Sequence, residues 1–389
     1  MVLTRRAHRL DARMCITLWL PNELLTKIIH CSPKSDQATL CRVSKLFYAL
    51  VLPILNRAVV LNFRKDDKSC DHFSRALIKV PQRAEAIRSL TLTPKPSHPN
   101  RLVQGAYDLL FEAMELMQGL QSITLEKRWE KTTINRLDRL VLPQLSTLRL
   151  RAENGFGCPD ARAFSQFFAQ HPSITRLYLP ADSWLTVEPV HNFLPNLREY
   201  VGPTPLLRSL ATQSLRAARL CPDSELSASN VQTLKALTKP GLPFVLSIDP
   251  GLGNRTLEVT IPAILSAVST EMSSEIRSLE LRTFETGRLS TETFNHITTQ
   301  LLRFSHIAYF SIARSDAGYL GEFFVDIEAV QAALRAWATA LPTLKGCFIG
   351  CPESPDACAW IKVGEQWERC TMQDFDVQAG FSIFEDADT

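Results

Sequence analysis

The sequence predicts an α/β protein in which a short all-α segment precedes an irregular solenoid of parallel strands alternating with helices. The chain has 389 residues, more than one compact core usually holds. Its N-terminal part carries apolar residues at helical spacing, whereas the rest repeats a short apolar phrase separated by amphipathic stretches. A unit of one strand and one helix cannot bury its own apolar face. Stacked repeats are therefore expected.

The first helix is expected to open at Pro21 and Glu23. Proline has no N–H to lose in a first helical turn, and a carboxylate suits the positive end of the helix. Apolar residues follow at helical spacing from Leu24 to Ile29. This spacing predicts an amphipathic helix.

A polar break after the first helix predicts a second one, with Ser35 or Asp36 as its N-cap. That helix is expected to continue until Pro53 stops it. Roughly 45 residues of this kind carry more apolar surface than they can hide by themselves. The segment therefore either caps the rest of the chain or docks on another protein.

The residue order over positions 16–63 resembles the F-box family. The resemblance rests on Leu20-Pro21-x-Glu23-Leu24-Leu25-x-x-Ile28-Ile29, a polar break, and Leu40-x-x-Val43-Ser44-Lys45-x-Phe47. It implies that the helices bind a Skp-type adaptor and, through it, a cullin-RING ubiquitin ligase. It also implies which residues lie in or directly behind the docking surface: Leu20, Pro21, Leu24, Leu25, Ile28, Leu40, Val43 and Phe47. Many members have Trp at the position of Phe47, a departure that weakens docking at most.

Beyond Phe63 the phrase apolar-x-x-apolar-x-apolar recurs at irregular intervals. Its copies begin at Ile87, Leu120, Leu145, Ile174, Leu215, Ile276, Ile307 and Leu344, with a degenerate copy at Leu197. The phrase resembles irregular leucine-rich repeats, although the Asn or Cys that usually follows it is missing. An ordinary α/β domain with a parallel sheet gives the same alternation and stays open as a rival.

Side chains between the buried residues of each phrase are expected to share one open face, because strand side chains alternate. Arg and Tyr on that face are typical of protein interfaces, and a guanidinium matches carboxylate or phosphate oxygens. The candidate target-binding residues are Arg149, Arg151, Arg176, Tyr178, Arg219, Glu280, Arg282 and Tyr309. The target is then a protein, acidic or phosphorylated in chemistry. The alternative is that these polar residues only keep the face soluble.

The end of the chain departs from the repeat. Residues 360–369 are expected to form a hairpin that closes the solenoid, and an acidic tail with three Phe residues follows. The tail either caps the solenoid or is disordered. The expected organisation is a flexible arm at 1–15, the F-box at 16–63, the solenoid with its cap at 64–372 and the tail at 373–389.

Composition excludes several classes of function. A net charge of +3 gives no basic field for nucleic acid, and no apolar run is long enough to span a membrane. The ten cysteines lack a disulfide framework or a zinc spacing, which indicates a reduced protein of the cytoplasm or nucleus. No catalytic phrase, metal ligand set or cofactor motif is present.

The sequence therefore predicts a non-catalytic substrate-recognition subunit of an SCF-type ubiquitin ligase. The alternative is a repeat scaffold for protein binding whose N-terminal helices only cap the solenoid. An enzyme of unrecognised type is a distant third.

Overall fold

The structure is a computed structural model. It describes residues 20–63, 69–94, 104–126, 135–150, 161–180, 193–222, 226–249, 257–283, 290–314, 327–350, 358–364 and 366–384. By internal contacts the chain divides into two units, Met1–Ile123 with Leu142–Gln144, and Thr124–Val141 with Leu145–Thr389. The first unit therefore extends past the boundary at residue 63 that the sequence suggested.

The first unit begins with three helices and continues with alternating strands and helices. Its elements are α1 (Asn22–Cys31), α2 (Lys34–Leu40), α3 (Lys45–Leu55), β1 (Ala58–Phe63), α4 (Ser69–Lys79), α5 (Pro81–Glu85), β2 (Ser89–Pro94), α6 (Gln104–Glu115) and the start of β3 (Ser122–Leu125).

The second unit carries the longer alternation of strands and helices. Its strands are β4 (Thr147–Leu150), β5 (Arg176–Tyr178), β6 (Glu199–Pro203), β7 (Ala217–Cys221), β8 (Phe244–Ile248), β9 (Ile276–Thr283), β10 (Tyr309–Arg314), β11 (Gly346–Gly350), β12 (Cys358–Val363) and β13 (Gln366–Cys370). Its helices are α7 (Ala161–Gln170), α8 (Ala228–Leu237), α9 (Leu257–Met272), α10 (Thr291–Leu301), α11 (Ile327–Ala340) and α12 (Met372–Ala379).

Within each unit the paired strands follow one another in chain order. In the first unit β1 pairs with β2 in parallel, and in the second unit β4 to β11 are all parallel. A doubly wound sheet would reverse its strand order at a switch point, and this order runs in one direction. The architecture is an open, solenoid-like α/β fold, as the sequence predicted. The rival of an ordinary parallel-sheet domain does not describe it.

The apolar phrases form the core, as their spacing indicated. In the second unit their central residues stand side by side in register and are buried: Leu148, Leu177, Tyr200, Ala218, Leu246, Leu279, Phe310 and Cys347. Helices cover this side of the sheet. Trp337 of α11 packs edge-on against Phe310, with 5.8 Å between ring centroids, and its indole N–H donates to Thr298 Oγ1 at 2.8 Å.

The C-terminal hairpin is present as predicted. β12 pairs antiparallel with β11, and β13 pairs antiparallel with β12. Antiparallel neighbours can be joined by a short turn, whereas parallel neighbours need a crossover connection. The run of parallel strands ends at this hairpin.

The boundaries of the second and third helices differ from the sequence prediction. α2 begins at Lys34 behind Pro33, whose φ of −56° leads directly into the helix, so neither Ser35 nor Asp36 is the N-cap. A break at residues 41–44 then separates α2 from α3, where one helix was expected. Pro53 lies inside α3 and does not stop it, because in the last turn its missing N–H removes only one hydrogen bond.

Ser44 is the N-cap of α3, and its Oγ accepts a hydrogen bond from the backbone N–H of Phe47 at 3.2 Å. We expect Ser44→Ala to lower the free energy of unfolding by about 1 kcal/mol, because that N–H loses its partner. Urea unfolding of the full chain measures the change. Ser44→Asp is the matched control, since a carboxylate restores the cap. Equal losses for both substitutions would contradict the assignment.

Candidate functional site

Helices α1 to α3 leave apolar side chains on their surface. Leu24 and Ile28 lie one turn apart on α1 and are 45% and 54% exposed. Val43, just before α3, is 63% exposed, and Leu46 in its first turn is 38% exposed. We call these four residues the apolar surface of the N-terminal helices. Exposed apolar groups of this kind are candidates for contact with another protein.

The opposite side of these helices holds them together. Leu25, Ile29 and Val51 are buried between them. The buried amide of Gln37 on α2 donates from Nε2 to the carbonyl oxygens of Ile29 and Ser32, each at 2.9 Å. These bonds satisfy the C-terminal carbonyls of α1 and fix α2 against it. The apolar surface therefore lies on a packed helical scaffold.

The predicted adaptor-binding residues differ in their exposure to solvent. Pro21, Leu24, Ile28 and Val43 are exposed; Leu20, Leu40 and Phe47 are half-buried; and Leu25 is buried behind the surface. Leu46 was not predicted. Its signal was weak, because it lies off the stripe formed by Leu40, Val43 and Phe47.

Residues 18–53 match the family model of the F-box domain. The matched range lies within the 16–63 that the sequence resemblance suggested and covers every described residue of the apolar surface. The F-box match does not extend into the strands, so it gives no support to the leucine-rich-repeat resemblance. No curated protein sequence matches the chain.

Beyond the F-box, the second unit presents two rows of side chains on the sheet side that faces away from the helices. Both rows are in register across the parallel strands. The first contains Arg149, Tyr178, Val201, Arg219, Ser247, Glu280, Ser311 and Phe348. The second contains Thr147, Arg176, Glu199, Ala217, Val245, Ser278, Tyr309 and Gly346. This is the face on which the sequence placed the target-binding residues.

Much of this face is covered by Met372–Phe384, which we call the C-terminal segment. It consists of α12, a turn at Gly380 with φ of +82°, and the residues up to Phe384. Its side chains Phe375, Phe381 and Phe384 are buried against the rows. The predicted acidic tail is therefore folded as far as Phe384, while residues 385–389 lie outside the described residues.

Named contacts fix the C-terminal segment. Ser278 Oγ donates to the carbonyl oxygen of Ala379 at 2.6 Å, and Tyr178 Oη lies 3.4 Å from that of Ile383. Phe375 packs edge-on against Tyr309, with 6.2 Å between ring centroids. These contacts lie at both ends of the segment.

The sequence predicted an open face at positions that the segment covers. Tyr178, Arg219, Glu280 and Tyr309 are buried, because the phenylalanines of the segment replace water above the strands. The other predicted target-binding residues that the structure describes are not buried in this way. Arg176 is exposed, Arg149 and Arg282 are half-buried, and Arg151 lies outside the described residues.

A buried charge network occupies the middle of the covered face. Glu280 Oε2 accepts from Ser247 Oγ at 2.6 Å and from Arg282 Nε at 3.1 Å, and lies 3.6 Å from Arg219 Nη2. The guanidinium of Arg219 in turn lies 4.8 Å from the ring centroid of Phe384. Burial alone raises the pKa of Glu280, but Arg282, Arg219 and Ser247 outweigh it, so the net pKa is lowered.

Tyr178 borders this network and carries a perturbed hydroxyl. Burial, followed by the charge of Glu199, raises the pKa of Tyr178 to about 12. Its Oη donates to Glu199 Oε2 at 3.0 Å, and the guanidinium of Arg149 lies 4.4 Å from its ring centroid. Tyr178 therefore remains a neutral donor at physiological pH.

The lowered pKa of Glu280 predicts an acid-sensitive fold. The ionised carboxylate stabilises the folded state above its unfolded pKa near 4.5, and that stabilisation is lost as pH falls through the lower folded pKa. We expect the free energy of unfolding to decrease as the pH falls below about 4.5, and less steeply in Glu280→Gln. Urea unfolding at several pH values measures both slopes. Identical slopes would show that Glu280 does not contribute.

Two other features are absent from the described residues, a helix that crosses a bilayer and a cluster that binds a metal ion. Among the described helices, none combines the length and apolarity that crossing a bilayer requires. Within the same ranges, His, Cys, Asp and Glu side chains do not gather in threes at distances suitable for a metal ion.

Proposed function

We propose that the protein is the substrate-recognition subunit of an SCF-type E3 ubiquitin ligase. The observation that carries the proposal is the apolar surface of Leu24, Ile28, Val43 and Leu46, which is exposed within the residues that match the F-box domain. F-box domains typically bind Skp-type adaptors, and apolar helix faces dock in complementary grooves. The adaptor in turn links the chain to a cullin.

The role proposed for the chain is non-catalytic. It binds the adaptor through the F-box helices and a protein target through the leucine-rich-repeat-like second unit. The target's lysines are thereby held near a ubiquitin-charged enzyme on another subunit, and the gain in rate comes from effective concentration. Such a complex works in the cytoplasm or nucleus.

The target surface that we propose is the strand face of the second unit. Arg176 is exposed there and Arg149 is half-exposed, and the two lie on neighbouring strands. Guanidinium groups on a sheet face fit the carboxylates or phosphates of an acidic or phosphorylated segment. The side chain of Arg282 is 20% exposed beyond the C-terminal segment and extends this surface.

The alternative function is a binding scaffold whose first helices only cap a solenoid. In helices that only cap a solenoid, the apolar side chains are buried, as those of Leu25 and Ile29 are. Leu24 and Ile28 on the same helix remain about half exposed, and this exposure favours adaptor docking.

Co-expression of the full chain with a Skp-type adaptor, followed by size-exclusion chromatography, tests the proposal. We expect the two proteins to elute together as a one-to-one complex. A well-behaved chain that elutes apart from the adaptor would contradict the ligase assignment and favour the scaffold.

A further inference from the structure

The C-terminal segment occupies the face on which target binding is expected, and its chemistry shows what that face accepts. Three phenylalanines, at the spacing Phe375-x5-Phe381-x2-Phe384, supply its buried contacts. The same buried cluster contains small side chains, Ala217 and Ala308, beside larger ones, Tyr178 and Phe348. We call the part of the sheet face that the three rings cover the groove.

The groove is shaped for an aromatic side chain at its far end. At Gly346 a Cβ atom would lie 3.1 Å from the ring of Phe375 and 2.8 Å from that of Tyr309. Any larger residue there would displace one of the rings. Phe348 lies 6.3 Å from Phe375, centroid to centroid, and forms a second wall.

The middle of the groove is polar, in contrast to the helix-covered side of the same sheet. Arg219 lies under the ring of Phe384, and Arg219, Ser247 and Glu280 belong to the charge network described above. A buried ion pair contributes little net stability compared with apolar packing. Polar groups at this position suit a face that is solvated for part of the time.

The segment is built as a separable unit. Local backbone bonds run from Phe375 N to the carbonyl oxygen of Thr371, the N-cap residue that precedes the segment, and from Phe384 N to that of Phe381. Thr371 Oγ1 caps the helix by accepting from Asp374 N at 3.1 Å. The phenylalanine side chains and the bond from Ser278 Oγ to the Ala379 carbonyl join the segment to the sheet, and the strands pair with one another through their own backbone bonds.

We propose that the groove beneath the C-terminal segment is the target site and that the segment is a built-in competitor for it. The partner is a protein segment that forms a short helix and turn and presents aromatic side chains at the spacing of Phe375, Phe381 and Phe384. This inference rests on the proposed function only in calling the partner a ligase target. Peptide binding to the groove is measured without the adaptor, so failure of this inference can be distinguished from failure of the proposed function.

The probe is a fluorescent peptide with the sequence of residues 371–384, added to the full chain. Phe381→Ser with Phe384→Ser releases the chain's own segment. The apparent affinity for an occupied site falls with the fraction of molecules that are open. We expect the double variant to bind the peptide at least about tenfold more tightly than the wild-type chain. The matched control is Val377→Ser, since Val377 is 62% exposed on the same helix, and it is expected to behave as wild type.

The second comparison changes the peptide and keeps the protein the same. A Phe384→Ser peptide is expected to bind the double variant at least about tenfold more weakly, whereas a Val377→Ser peptide keeps its affinity. A double variant that unfolds cooperatively in urea but binds no peptide would overturn the proposal. So would equal affinities for the two altered peptides.

If the double variant does not fold, amide hydrogen exchange of the wild-type chain tests whether the C-terminal segment opens locally. We expect the amides of Phe375–Ala379 to exchange through a local opening, faster than those of β9 and β10. Protection of the segment equal to that of these strands would mean that it leaves only on global unfolding. That result would overturn the proposal.

Discussion

Replacing Leu24 and Ile28 together with aspartate is expected to abolish adaptor binding. Both side chains are about half exposed on one face of α1 and are free to enter a partner. Two carboxylates placed in an apolar interface lose hydration without gaining partners, at a cost of at least about 3 kcal/mol, or about a hundredfold in affinity. Co-elution of the variant with a Skp-type adaptor measures the loss.

The matched control is Leu302→Asp, because Leu302 is 51% exposed but lies at the end of α10, outside the F-box match. It adds one carboxylate where the double variant adds two, and it is expected to leave binding intact. Circular dichroism and urea unfolding of the double variant should match the wild-type chain, since neither residue is buried. Adaptor binding retained by a folded double variant would remove α1 from the docking surface.

Glu280→Gln is expected to cause a large loss of stability in the second unit. Glu280 and Arg219 are each 3% exposed, and removing the carboxylate leaves a guanidinium buried without its counter-charge. Breaking a buried pair on one side costs about 3–5 kcal/mol. Urea unfolding at neutral pH measures the change, provided that the transition is cooperative.

A double-mutant cycle separates the pair from the rest of the network. Arg219→Met combined with Glu280→Gln removes both charges, and the double variant is expected to lose less stability than the sum of the two single variants. Glu368→Gln on β13 is the control for the chemical change, because Glu368 is exposed. Additive losses would contradict the coupling of Arg219 with Glu280.

Local patterns predicted the elements well where periodicity and burial agree. The phrase around Leu279 became a buried strand, and an amphipathic stretch after the phrase at Ile307 became α11. The patterns failed at the polar break between the first helices. There Pro33 precedes α2 in place of the predicted Ser35 or Asp36, Ser44 caps a separate helix, and the single proline inside α3 is tolerated in its last turn. Caps depend on backbone angles that the order of residues does not fix.

The apolar surface of the N-terminal helices was also predictable in outline. Helical spacing places Leu24 and Ile28 on one face of α1, and Leu25 with Ile29 on another. Spacing alone does not say which face is buried. That followed only from the packing of α1 against α2 and α3, where Gln37 bonds to the end of α1.

The sequence by itself determined the solenoid-like order of strands and the position of the F-box, because both depend on patterns within a few tens of residues. Only the tertiary structure decided that the polar face is covered. The contacts of Ser278 with Ala379 and of Tyr178 with Ile383 span 101 and 205 residues of chain. No local pattern carries contacts of that separation. Alternation along a strand marks a side chain as facing away from the helices, but it cannot show that another part of the chain lies on it.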